Sequence, residues 1–193
     1  MMSRSGKRIA GVARALLVAA LGWSAFAGAS PTIVEAQPAP AACAPLTEAD
    51  AVGVEGVIPV QSLAQGNVFD HGPPRSTLLV TSRPDPIASV IDPPEAPTVA
   101  GVDLSANVLV ALFIGRWPQE GHRVTIESVR TTDAGVCLTA VVAGPIPGQD
   151  AADAETYPYH VVSVPLDAVP RAPGTTWTAV SPDGTEIATA RFP

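Results

Sequence analysis

The stretch Asn107-Val-Leu-Val-Ala-Leu-Phe-Ile-Gly115 decides the fold class of this chain. Its run of apolar residues is rich in β-branched and aromatic side chains and ends in glycine, which is typical of a strand buried on both faces. A buried helix is the alternative, but the run is too short for a typical helix. The stretch therefore predicts a central β-strand.

Shorter strand patterns lie on both sides of this stretch. They are Ser76–Ser82, Arg123–Ser128, Val136–Ala143, His160–Val164, Thr175–Val180 and Thr185–Phe192. The last two flank Ser181-Pro-Asp-Gly184, whose proline and glycine suit a type I turn. Asp85–Val90, with Pro86 near its start, fits one or two helical turns. We predict an all-β fold, a single small antiparallel β-sandwich or partly open barrel with about seven strands and at most one short helix.

The length of 193 residues leaves room for one ordinary domain. Residues 1–29 are predicted to be a signal peptide, and residues 30–46 a flexible leader rich in proline and alanine. Residues 47–193 then form a single β domain. The content of 21 prolines and 16 glycines favours many turns and short elements within it.

The N-terminus has the pattern of an export signal. A basic segment without acids precedes the apolar stretch Ala15–Ala29, and small residues suited to cleavage follow it. Cleavage is predicted before Ser30, with Gln37 as a second candidate. An uncleaved membrane anchor is the alternative, although the apolar core is shorter than a bilayer requires. We expect a secreted, periplasmic or cell-surface protein that meets a membrane only through this segment, if it stays uncleaved.

Charge excludes one class of partner. From residue 30 onward the chain has seven arginines, no lysine and 18 acidic residues, so its net charge is 7 − 18 = −11. A protein that follows a phosphate backbone needs a basic face, so we expect no nucleic-acid partner. The same charge keeps an exported protein soluble.

The two cysteines suggest a disulfide. Cys43 and Cys137 are the only cysteines in the sequence, and disulfides persist in exported proteins. We predict that they pair, with two free thiols as the alternative. A lipid-modified Cys43 is a weaker interpretation, since the residues before it, Ala39-Pro-Ala-Ala42, do not form the required motif and lie well beyond the apolar stretch.

The sequence contains no motif of a known catalytic centre. It lacks a nucleophile elbow, a phosphate-binding loop and a zinc-protease helix, and its three histidines share no metal-ligand spacing. We expect no enzyme, no metal and no cofactor. The alternative is a small secreted hydrolase or metal-binding protein that uses His122, His160 and the acidic segment Asp150–Glu155.

Two predicted loops combine residue types common at protein interfaces. The first, Gly115–His122, contains Arg116, Trp117 and Gly121, and the second is Tyr157-Pro-Tyr-His160. Tryptophan, arginine and tyrosine dominate binding hot spots, which favours a contact role. The same residues also suit a plain hairpin loop and a core edge. Both interpretations stay open from the residues alone.

The order of these motifs resembles the C-terminal domain of the PrcB family, small exported bacterial proteins named for a subunit of a surface protease complex. Val108–Gly115 is similar to the family's first strand and Val124-Thr-Ile126 to its second. Pro145-Ile-Pro-Gly148 is similar to a proline stretch, and Tyr157-Pro-Tyr-His-Val-Val162 to the last strand. The resemblance covers about 60 residues, from 107 to 165.

The resemblance implies an exported, non-enzymatic domain that associates with a protein partner or stabilises it, such as a protease subunit. The residues expected to contact the partner are Arg116, Trp117, Gly121, His122, Tyr157 and Tyr159. One loop departs from the family: Pro118–His122 stands where the family has Thr-Gly-Gly-Tyr, which implies an altered specificity. A protease inhibitor that presents loops from a β-sandwich is a minor alternative.

Overall fold

The computed structural model describes Cys43 and residues 56–69, 71–148 and 151–193. The predicted signal peptide, 1–29, and the predicted leader, 30–46, lie outside the described residues except for Cys43. No helix within the described ranges is long and apolar enough to cross a membrane.

The described residues form two sheets. The strands are β1 Val57–Ile58, β2 Gln61–Phe69, β3 Ser76–Thr81, β4 Asn107–Ile114, β5 Arg123–Thr132, β6 Gly135–Ala143, β7 Thr156–Pro165, β8 Thr176–Val180 and β9 Glu186–Arg191. One sheet has the order β1-β5-β6-β8-β9 and the other the order β2-β7-β4-β3. Neighbouring strands are antiparallel except β6 and β8, which run parallel.

The all-β sandwich is confirmed. The described part of the chain has nine strands and two short α-helices, α1 Asp85–Ala88 and α2 Ala96–Ala100, where the sequence predicted about seven strands and at most one helix. The additional strands are β1, which has only two residues, and β2. Strand β2 is rich in polar residues and includes Gly66, so its composition gives a weak strand signal.

Strand β4 is buried on both faces, as its apolar run predicted. Its even-numbered side chains, such as Val110 and Leu112, pack against the five-stranded sheet. Its odd-numbered side chains, such as Leu109 and Phe113, join a second core under the helices. Alternation along a strand sends neighbouring side chains to opposite faces, so a strand between two cores must be apolar throughout.

The two helices cover the outer face of the four-stranded sheet. Each has a proline in its first turn, where the missing N–H costs no hydrogen bond. Ile87, Ile91 and Val99 are buried against the sheet and complete the second core. The fold therefore has three layers, with the four-stranded sheet in the middle.

Two side chains join the sheets along the open edge of β5. The side-chain amide of Gln65 in β2 donates hydrogen bonds to the Val124 carbonyl oxygen, at 2.6 Å, and to Thr125 Oγ1, at 2.8 Å. The backbone N–H of Ile126 donates to Nδ1 of His160 in β7, at 2.8 Å. Backbone groups on this edge are thus paired by side chains where no neighbouring strand pairs them.

The predicted disulfide between Cys43 and Cys137 is present. The two Cα atoms lie 5.5 Å apart, and both residues are buried against Val180. The bond attaches Cys43 to the third residue of β6, at a position where β6 is paired on both sides, by β5 and β8.

Candidate functional site

The first predicted contact loop begins where the pairing of β4 with β7 stops. That pairing ends at Phe113 and Tyr159, next to Pro158, which has no N–H to donate. Beyond it, Trp117 pairs again with Thr156, with N···O distances of 2.8 and 2.9 Å. The backbone between these two points bends outward at Gly115, whose φ is +79°. The bend places Trp117 at the end of the four-stranded sheet.

Trp117 is held in one position by three contacts. Its indole stacks on the imidazole of His122, with ring centroids 4.0 Å apart and an angle of 24° between planes. Its Nε1–H donates to the carbonyl oxygen of Ile114 at 3.3 Å. Its inner edge packs against the main core. His122 is in turn held by a 3.3 Å hydrogen bond from Nδ1 to the carbonyl oxygen of Gln119.

The loop between β4 and β5 is attached to the residues that precede β7. Arg116 forms an ion pair of 3.2 Å with Glu155, whose carboxylate also accepts a hydrogen bond from the hydroxyl of Tyr157. The Glu120 N–H donates to the Ala152 carbonyl oxygen at 3.1 Å. These contacts give both segments a defined arrangement before any partner binds.

A cleft of about 390 Å³ opens beside this loop. It lies between the β4–β5 loop, the start of β5, the residues that follow β6, and the edge strand β2. Its lining residues are Asn67, Glu120, Gly121, His122, Arg123, Gly144, Pro145, Ile146 and Ala151. Gly121 closes one wall: its φ is +87°, and a Cβ there would lie 3.1 Å from Cα of Pro145.

The cleft combines polar and apolar groups that lack partners within the described residues. Arg123 is exposed and makes no ion pair with a described residue. The side-chain oxygen of Asn67 is buried and accepts no hydrogen bond in the described structure. Ile146 is 53% exposed, the largest exposed fraction among the large hydrophobic residues described. Arg123 and Ile146 are therefore open to a bound molecule, whereas the oxygen of Asn67 is enclosed by the protein.

The structure places the predicted contact residues in two different environments. Arg116, Trp117, Gly121 and His122 lie together on the loop beside the cleft. Tyr157 and Tyr159 lie in β7 and are buried in the second core. Their side chains are therefore not accessible to a partner, which corrects the prediction for these two residues.

The environment of Tyr159 shows its structural role. Its ring lies 5.8 Å from that of Phe113, and its fully buried hydroxyl has no hydrogen-bond partner among the described residues. Burial, with smaller contributions from the charges of Glu95 and Asp92, raises the pKa of Tyr159 to about 12. Tyr159 is a neutral core residue.

The alternative site of His122, His160 and the acidic segment does not assemble from the described residues. His160 is buried, and both ring nitrogens are engaged: Nδ1 accepts from the Ile126 N–H, and Nε2 lies 2.8 Å from Ser62 Oγ. Glu155 is paired with Arg116, and Asp150 lies outside the described residues. No group of three histidine, cysteine or carboxylate side chains suited to a metal occurs in the described part of the chain.

Sequence reasoning missed three residues of the cleft: Asn67, Arg123 and Ile146. Asn67 comes from a distant strand, which no local pattern connects to the loop. Arg123 belongs to a predicted strand, and Ile146 to the proline stretch Pro145–Gly148, and neither pattern indicates a cleft. Ile146 stands between two prolines, Pro145 and Pro147. These turn-forming neighbours were the one sequence signal that this apolar residue is exposed.

Comparison with known proteins gives one match. A family model described as PrcB C-terminal matches residues 108–165. The matched segment begins at the second residue of β4 and ends at the last residue of β7, so it covers the two central strands of the middle sheet and the β5–β6 hairpin. No curated protein and no solved structure matches the chain.

Proposed function

We propose, from the match of residues 108–165 to the family model described as PrcB C-terminal, that the protein is an exported, non-enzymatic interaction domain. Its partner is a subunit of a secreted or cell-surface protease complex, which it binds and stabilises. The partner meets a contact surface made of Arg116, Trp117, His122 and Ile146. The family resemblance supports the class of partner, and the geometry of the loops supports the location.

The observation that carries this proposal is the Trp117–His122 stack at the edge of the cleft. A large aromatic side chain that is already fixed loses little conformational entropy when a partner binds. Trp117 is fixed by its stack, by its hydrogen bond to Ile114 and by its backbone pairing with Thr156. Tryptophan and arginine in such positions are the residues that contribute most to interface affinity.

Export is supported by two independent features. The basic and apolar pattern of residues 1–29 is typical of a secretory signal. The disulfide between Cys43 and Cys137 is a bond that persists in oxidising compartments. The net charge of −11 from residue 30 onward, counted as 7 − 18, suits a soluble exported domain.

The experiment is affinity capture with the full chain, tagged at its C-terminus and exported by its source cells. The tagged protein is cross-linked in the exported or surface fraction, and co-purified proteins are identified by mass spectrometry. The parent is compared with the double variant Arg116→Ala/Ile146→Ser. Both positions are exposed, so the variant should fold as the parent does.

The matched control is Val57→Ser, another exposed apolar residue. It lies on β1 opposite Arg130, seven residues along β5 from the cleft and about 23 Å away. We expect a protease subunit captured by the parent and by Val57→Ser, and lost from the double variant. Equal capture by the double variant would refute the contact surface, and absence of any peptidase from the parent sample would refute the proposed partner.

A further inference from the structure

We propose that His160 is a pH-sensitive latch between the two sheets, which releases the free edge of β5 at Ile126 when its imidazole takes up a proton. The release is local, and the rest of the fold stays closed. It is a property of the described domain itself and goes beyond the proposed function, because it needs no partner.

Two side chains pair the free edge of β5 where a neighbouring strand would otherwise pair it. Gln65 in β2 and His160 in β7 stand directly opposite each other. The Gln65 side-chain amide donates to the Val124 carbonyl oxygen at 2.6 Å, and His160 Nδ1 accepts from the Ile126 N–H at 2.8 Å. Backbone groups two residues apart on a strand point to the same edge, so these two side chains replace a strand there.

The bond at Ile126 is the one that a proton can break. A neutral imidazole has one acceptor nitrogen, and a protonated imidazole has none. The other ring nitrogen, Nε2, lies 2.8 Å from Ser62 Oγ, an oxygen that can accept its proton in either charge state. The amide of Gln65 does not titrate in this range. Protonation of His160 therefore removes only the bond to Ile126 and sets two N–H donors against each other.

The strands beside this bond are irregular, which favours a local opening. The pairing register shifts directly after Ser62 in β2 and directly after Ile126 in β5. Bulges of this kind interrupt the hydrogen-bond ladder. The freed stretch of β5 is bounded on one side by the Gln65 bridge and on the other by β1, whose pairing starts at Val129. Loss of the His160 bond therefore frees residues 126–128 and leaves both boundaries in place.

Burial couples this opening to pH. It lowers the pKa of His160 below the ordinary value of 6.5. Strands β2, β4, β6 and β7 carry no charged side chain, and among the described residues no charge adds to the shift. The charged residues of β5 are Arg123, Glu127 and Arg130.

The sign follows from where each state binds the proton. In the open state the imidazole meets water and takes up its proton near pH 6.5, whereas the closed state takes it up only at lower pH. The latch is therefore closed above pH 6.5. Below it, the open population rises by up to about tenfold per pH unit until the lowered pKa of the closed state is reached.

The test is amide hydrogen exchange, followed by NMR on the disulfide-bonded protein labelled with ¹⁵N, between pH 7.5 and 5. Each rate is divided by the intrinsic rate of an unstructured peptide at the same pH, which gives the protection of that amide. We expect the protection of the Ile126 amide to fall by up to about tenfold per pH unit below pH 6.5 and to change little in low urea. The reference is the Leu138 amide in β6, which is paired by β5 and β8. It should exchange only through unfolding of the whole domain, stay better protected than Ile126 and respond to urea.

Two variants assign the effect to His160. His160→Gln keeps an oxygen that can accept from the Ile126 N–H but does not titrate, so the protection of Ile126 should lose its pH dependence. His71→Gln changes an exposed histidine and should follow the parent. The ¹⁵N shifts of the parent's imidazole rings give a measurement without any variant: above pH 7 the neutral His160 ring should carry its proton on Nε2.

Three results would overturn the inference. Protection of Ile126 that does not change with pH would mean that the bond does not sense the proton. Exchange of Ile126 that follows Leu138 at every pH and urea concentration would mean that the edge opens only when the whole domain unfolds. A neutral His160 ring with its proton on Nδ1 would mean that this nitrogen does not accept from Ile126.

Discussion

Nδ1 of His160 lies 2.8 Å from the backbone nitrogen of Ile126 and accepts its hydrogen bond. Because Nδ1 is the acceptor, the neutral ring carries its proton on Nε2, which donates to Ser62 Oγ at 2.8 Å. One buried imidazole therefore links β7 to the free edge of β5 and to strand β2. The histidine that the sequence offered as a metal ligand is a structural link between the two sheets.

Removal of this link should destabilise the fold. His160→Phe keeps a ring of similar size but leaves the buried N–H of Ile126 without an acceptor, so we expect a loss of about 1–3 kcal/mol in the free energy of unfolding. His160→Gln can still offer an oxygen to that N–H and should lose less. Urea denaturation measures both, and equal stability of His160→Phe and the parent would contradict the role.

The same histidine should make stability depend on pH. Burial lowers the pKa of His160 below its ordinary value of 6.5, so the unfolded chain binds the proton more readily than the folded one. This contribution is fully present above pH 6.5 and is lost as the pH falls towards the lowered pKa of the folded state, by at most about 1.4 kcal/mol per pH unit.

The measurement is the free energy of unfolding in urea between pH 7.5 and 5. His160→Gln should show a flatter dependence than the parent in that interval. His71→Gln, a change at an exposed histidine, is the control and should follow the parent. A His160→Gln curve parallel to that of the parent would show that protonation of this side chain is not coupled to folding.

Gly72 is predicted to be the least replaceable glycine near the second core. A Cβ at this position would lie 2.2 Å from Cγ of Tyr157, a buried ring that cannot move without disturbing β7. Gly72→Ala should therefore cost about 1–3 kcal/mol by overpacking. Gly144→Ala is the control, because its nearest neighbour is His122 Nε2 at 3.9 Å, and it should change stability by less than about 0.5 kcal/mol.

Reduction of the disulfide should lower stability substantially. The bond closes a loop between residues 94 positions apart, and in the chain-entropy model a loop of that length stabilises by up to about 4–5 kcal/mol. Urea denaturation with and without reductant measures the loss. The double variant Cys43→Ser/Cys137→Ser should resemble the reduced parent and show no response to reductant. A parent whose midpoint ignores reductant would contradict a stabilising role.

The elements that the sequence predicted best are those whose signal is local. The apolar run of β4 predicted a strand buried on both faces, and the structure has a hydrophobic core on each face of this strand. The C-terminal hairpin, β8 and β9, follows the turn at Ser181–Gly184, where the Gly184 N–H donates to the Ser181 carbonyl oxygen at 2.9 Å. The order of motifs in 107–165 also predicted a resemblance to the PrcB C-terminal domain, and the match of that family model to 108–165 confirms the resemblance.

The sequence could not show which side chains meet across the fold. Strand β7 begins at Thr156 and not at the predicted His160, so Tyr157 and Tyr159 belong to a central strand and are buried. Pro158 suggested a loop there, since proline is rare inside sheets, but the β4 ladder stops beside it. Asn67 and Arg123 line the same cleft only because the two sheets pack together, and no local sequence pattern predicts that packing.

Gly121 allows a test of whether the shape of the cleft, independent of its charges, matters for binding. Its φ of +87° disfavours any side chain, and a Cβ would press on Pro145 at 3.1 Å. Gly121→Ala should lose about 1 kcal/mol of stability and push the two walls of the cleft apart. Gly148→Ala is the matched control: its φ is +82°, but a Cβ there would meet no atom of the described residues within 4 Å.

Both variants should lose stability in urea denaturation because both place a side chain at a positive φ, and Gly121→Ala should lose more because its methyl group also presses on Pro145. Only Gly121→Ala should lose capture of the partner, because only there does the added methyl group displace a cleft residue. Equal binding by both variants would mean that the gap between Gly121 and Pro145 does not shape the binding site. The contact would then depend on the side chains of the contact surface and not on the width of the cleft.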